Sequence, residues 1–73
     1  MKFLKVNVRR YDKFGGEQIT PAIFNLDCIV MITRGLENTT CIFLTNDETY
    51  TLDEALETIL DKIESLNKEH PEP

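Results

Sequence analysis

A histidine that works as a general base must be held in fixed geometry beside a nucleophile or a metal. The only histidine here, His70, stands in the terminal HPEP stretch, where a helix is expected to fray, so it receives no catalytic role. A cysteine nucleophile needs a cation or a helix N-terminus nearby to lower its pKa. Cys28 and Cys41 instead lie in the apolar runs CIVMI and CIFL, which points to buried, free, structural thiols. The two runs read as arms of one hairpin. A loop around Gly35 offsets the cysteines along the ladder, at about 3.3 Å per residue, beyond bridging distance. Free thiols suit a reducing compartment, and a cytoplasmic protein is expected.

Asp53, Glu57, Asp61 and Glu64 form an acidic stripe, but hard cations take carboxylates from converging elements or a tight loop, and one helix face cannot enclose an ion. Gly15-Gly16 is too short to cradle a phosphate and is followed by Pro21 and a strand, so it reads as turn punctuation. No metal, cofactor or small-molecule substrate is indicated, and no enzymatic activity is expected. Lys5, Arg9, Arg10 and Lys13, interleaved with Phe3, Tyr11 and Phe14, have a composition that tracks phosphates and stacks on bases. The net charge of −5 opposes nucleic-acid binding, and ion-paired or solvated strand charges are the ordinary reading.

These residues must be positioned by a small scaffold. At 73 residues there is one domain with a limited core, and the N-terminus MKFLKVNVRR lacks the apolar region of a targeting segment. No run is long enough to span a bilayer, so no membrane partner is expected. In residues 2–11, Leu4, Val6 and Val8 alternate with Lys5, Asn7 and Arg9, the period of a strand with one dry face. YDKFGGEQ turns the chain, and residues 18–25 return as a second strand in which Pro21, lacking an N–H, demands an edge, a bulge or a strand start. CIVMITR and TTCIFL form a central hairpin, and Asn46-Asp47 leads into the short strand ETYT.

The central strands are apolar on both faces. Strict alternation sets Ile29 and Met31 against Cys28, Val30 and Ile32, and Cys41 and Phe43 against Ile42 and Leu44. One helix shelters one face. The other needs the sheet to curl into a small barrel, or a second copy of the protein, and Ile29, Met31, Ile42, Phe43 and Leu44 are the candidate self-association residues.

Thr51 and Glu54 fit the T-x-x-E capping box, which starts a helix at Leu52. Leu52, Leu56, Ile59, Ile63 and Leu66 make its apolar stripe, and Asn67, Lys68 and the HPEP tail end it. On the outer face Thr58 and Lys62 are ordinary members of a solvated surface. Residues 1–67 are thus one domain and 68–73 a disordered tail.

From Ile23 to Ile63, the order IFNLDCIVMI, TTCIFLTNDETYTL, DEALETILDKI resembles the flagellar FlbD-like family of very small proteins, and more distantly the strand-strand-helix end of LytTR DNA-binding domains. The matching residues are Asn25, Asp27, Ile29, Ile32, Ile42, Leu44, Asn46, Tyr50, Leu56 and Ile59. The resemblance implies a fold and a bacterial origin. Flagellar function and DNA binding are not carried over, because the C-terminal half is acidic where LytTR reading elements are basic.

The expected fold is α+β: a strongly bent antiparallel sheet of four or five strands, able to close as a barrel, with the helix of residues 52–67 on one face. The expected function is a non-enzymatic interaction or assembly module, a homo-oligomer or protein-binding unit that self-associates through its apolar sheet face. The alternative is a nucleic-acid accessory protein using Lys5, Arg9, Arg10 and Lys13.

Overall fold

The alternation in FLKVNVRRY is realised as strand β1 (Phe3–Tyr11), which buries Leu4, Val6 and Val8 and exposes the residues between them. A computed structural model describes residues 2–68. After β1 come β2 (Glu17–Asn25), a 3-10 turn (Leu26–Cys28), β3 (Ile29–Arg34), β4 (Thr40–Leu44), β5 (Thr49–Leu52) and helix α1 (Leu56–Lys68).

The five strands form one antiparallel sheet in the order β2-β1-β5-β4-β3. Its two edge strands, β2 and β3, are successive in the chain and separated only by Leu26–Cys28. Taken as two halves of one bent strand, they pair with β1 and with β4, while β5 pairs with both β4 and β1, so hydrogen bonding runs round a closed ring. Asn25 makes the bend. Its side chain accepts from the Asp27 amide at 2.9 Å and caps the 3-10 turn.

Directly opposed residues on antiparallel strands share a face. The register therefore places Leu4, Val6, Val8, Ile42 and Leu52 together on the concave face, with Ala22, Phe24, Ile29, Ile32, Leu44 and Tyr50 packed around them. Helix α1 lies on this side, with Ile59 wholly buried and Ile63 and Leu66 packed against the cluster. The Phe24 and Tyr50 rings meet edge-on at 5.2 Å although β1 separates their strands in the sheet, a contact that needs strong curl. Thr40, fully buried beneath the helix start, donates from Oγ1 to the Glu54 carbonyl at 2.8 Å.

The expected fold class holds, with corrections. The T-x-x-E pattern does not start the helix. Thr51 and Leu52 pair in β5 with Cys41 and Thr40, and Leu52 fills the core opposite Val8, so tertiary pairing outweighs the local cap and α1 begins at Leu56. A register shift between Ile29 and Met31 brings Ile29 and Ile32 to the same inner face, where strict alternation separates them. Cys28 is exposed on the 3-10 turn and is not buried, whereas Cys41 is half-buried in β4; both are free. The helix includes Lys68, assigned above to the tail; the remainder of that tail, with His70, lies outside the described residues.

Candidate functional site

Glycine and aspartate shape the arm on which the basic residues sit. The Asp12 carboxylate accepts from the amides of Phe14 at 2.9 Å and Gly16 at 2.7 Å, and Gly15 takes φ 84°, which only glycine adopts without strain. The β1–β2 ribbon beyond the helix is long, and the molecule measures 52 × 24 × 19 Å.

The four basic candidates do not gather on this arm. Lys5 and Arg9 belong to the convex face and Arg10 to the concave one, while Lys13 lies in the hairpin tip with its ammonium 5.8 Å from the Phe14 ring. Arg9 is committed elsewhere. Its guanidinium donates to Asp53 Oδ1, from Nε at 2.9 Å, and lies 3.3 Å from Glu17. The hydrogen bond to Asp53 raises the Arg9 pKa above its ordinary value.

Basic strand and acidic segment thus meet within one chain. Lys62 pairs with Glu54 at 2.6 Å, and Arg34 with Glu57 at 2.5 Å, a contact that pulls the Glu57 pKa down and pushes that of Arg34 up. The acidic stripe is dispersed by this pairing, since Asp53 precedes the helix and faces Arg9. Among the described residues no three His, Cys, Asp or Glu side chains converge as metal ligands.

The apolar candidates divide cleanly. Ile29, Ile42 and Leu44 face the interior, and Ile42 is fully buried. Met31 and Phe43 oppose each other on the convex face, with Met31 48% exposed. The same face carries Phe3, Ile19 and Ile23, exposed by 47, 45 and 62%. Ile19 and Ile23 escape sequence reasoning because the solvent face of a strand containing proline carries no strong signal; the QITPAIF alternation was the available clue.

Lys62 is also more than a solvated residue. Its Nζ donates to the Lys5 carbonyl at 3.1 Å, and Glu54, its partner, accepts from the Asn7 amide at 3.2 Å. Spacing of eight between opposite charges on a helix approach gives no warning of such a role. Within the resemblance set, Asn25 caps a turn, Asn46 accepts from the Glu48 amide at 3.1 Å in the β4–β5 turn, and Tyr50 packs on Phe24. No described helix is long and apolar enough to cross a membrane. No protein-family model, curated protein or solved structure matches the chain.

Proposed function

We propose that this protein is a non-enzymatic assembly module whose convex sheet face binds a second copy of itself. One observation carries the reading: Ile19, Ile23 and Met31, half-exposed large apolar residues of the paired strands, share the convex face, where neither helix nor barrel interior shelters them. Large apolar side chains left exposed on one face of a small domain mark candidate contact sites.

A second copy is favoured over an unrelated partner because an antiparallel ribbon is complementary to itself about a two-fold axis, with Ile19 meeting Ile23 of its mate across the axis at Pro21. Pro21 also decides the kind of contact. The Asn7 amide and carbonyl both point away from β2, to Glu54 and Asp53, so the Asn7–Pro21 pair is not hydrogen-bonded and the proline nitrogen faces the open edge of β2. A continuous ladder between two β2 edges lacks a donor there, which leaves side-chain packing of convex faces as the route.

The test is solution mass by light scattering at micromolar concentration, for the native protein and for Ile19→Glu/Ile23→Glu. The reading predicts a dimer that the double variant converts to a monomer with unchanged circular dichroism. A native mass of one chain retires it. In that event, binding of a fluorescent oligonucleotide that weakens steeply with salt would favour the nucleic-acid alternative through Lys5, Arg10 and Lys13.

A further inference from the structure

Strand β1 has two hydrogen-bonding edges. One is paired with β2 along its whole length, whereas on the other β5 pairs with it at Val8 and the Asp53 amide donates to the Asn7 carbonyl at 2.7 Å, which leaves the edge from Phe3 to Lys5 without a strand. Alternation along the strand turns the backbone groups of Phe3 and Lys5 the same way as those of Asn7, away from β2 and toward the helix. There the strand and α1 enclose a groove of about 600 Å³, with Phe3, Leu4 and Lys5 on one wall and Asp61, Lys62 and Leu66 on the other. Lys2 ties one end of this groove to the helix through Asn67 at 3.3 Å, and Glu54 and Lys62 tie the other.

The second tie has the form of a missing strand. Lys62 supplies a donor to the Lys5 carbonyl, Glu54 supplies an acceptor to the Asn7 amide, and the two side chains hold each other at 2.6 Å. In a parallel ladder a single residue does the same, donating to one carbonyl and accepting from the amide two residues further on. The ion pair therefore stands in for one residue of backbone.

We infer that the β1–α1 groove is a strand-addition site, closed in the free protein by the Glu54–Lys62 pair, for an extended, uncharged, β-branched peptide segment of a partner protein. Charge selects that occupant. Lys5 and Lys62 are balanced by Asp61 and Glu54, so the rim offers no net field to a charged segment, while Phe3 and Leu66 offer apolar contacts to its side chains. The volume lies within the range of ligand-binding clefts. The site uses the free edge of β1 and shares Phe3 with the convex face; the Ile19→Glu/Ile23→Glu variant, which leaves Phe3 and the groove in place, separates its failure from that of self-association.

The probe is a fluorescein-labelled octapeptide of alternating valine and threonine, measured by anisotropy, beside a copy N-methylated at every second amide in each of the two phases. The native protein is expected to bind the unmethylated peptide, and the unlatched Glu54→Gln/Lys62→Met variant to bind it roughly tenfold more tightly, because opening the site no longer opposes binding. One methylated phase should lose binding, and the Phe3 and Lys5 amides of the native protein should gain protection from hydrogen exchange. Lys62→Met alone, at a half-exposed position, serves if the double variant does not fold. No binding to either protein at millimolar peptide, or equal binding of both methylated phases, overturns the inference.

Discussion

The two ends of this molecule are held by different forces. Around α1, order comes from apolar side chains: Leu4, Ile42, Leu52 and Ile59 are excluded from water beneath the helix. Along the β1–β2 arm, every residue from Arg10 to Pro21 is exposed, and order comes from the ladder, the Asp12 turn and the Arg9 ion pairs. Burial is non-directional and cooperative, whereas hydrogen bonds and ion pairs in contact with water contribute little net stability each. A small domain of this kind can thus present a long, well-registered ribbon whose sequence is nearly free of core constraints. That freedom is what makes the apolar residues on its convex face informative.

The sharpest way to break the contrast is to excavate the helix end. Ile42→Ala should destabilise the protein by about 2–5 kcal/mol in urea unfolding, while Ile23→Ala on the arm should stay within about 0.5 kcal/mol at monomer concentrations. Comparable losses at the two positions would mean that the arm has a core of its own. Next comes Thr40→Val, which keeps shape but leaves the Glu54 carbonyl without its buried donor. A loss of about 1–3 kcal/mol is expected by the same measurement.

A smaller effect probes the arm directly. Gly15→Ala forces a side chain into positive φ and should cost about 1 kcal/mol. Hydrogen exchange should quicken at arm amides and remain slow at Ile42 and Ile59. The smallest concerns Glu57, whose pKa is lowered by Arg34. A carboxylate depressed on folding adds stability that is complete above its unfolded value and fades as pH falls through the folded one. Stability should therefore dip slightly below the ordinary glutamate value of 4.5, and Arg34→Gln should remove that component of the acid titration curve.

Much of the architecture was legible because strand alternation is a strong local signal. Leu4, Val6 and Val8 announced β1, and of the edge, bulge or strand start that Pro21 allowed, the structure has the edge. What was illegible depended on partners distant in sequence. Thr51 and Glu54 carry a valid helix-start pattern, overruled only because Thr40 and Cys41 lie alongside. Ile29 and Ile32 differ in parity, and only the bulge at Val30 reconciles them. The candidate surface was half readable: Met31 and Phe43 do face outward, but Ile29, Ile42 and Leu44 turn inward, and the arm residues Ile19 and Ile23 were passed over. Lys62 looked ordinary since nothing in its neighbourhood reveals that an unfinished strand edge lies against it.

Closure of the ring by β5 against β1 has a consequence for how the chain acquires its shape. Val8 must wait for Leu52, its partner across the whole intervening meander, before the barrel shuts. During synthesis the β1–β2 ribbon emerges before its partners and can zip at once, but its greasy inner side stays unsheltered until β5 and α1 leave the ribosome. Translation speed over the stretch encoding β5 and α1 thus sets how long that vulnerable half-barrel persists, and a pause there would expose it to chaperones or to premature clumping.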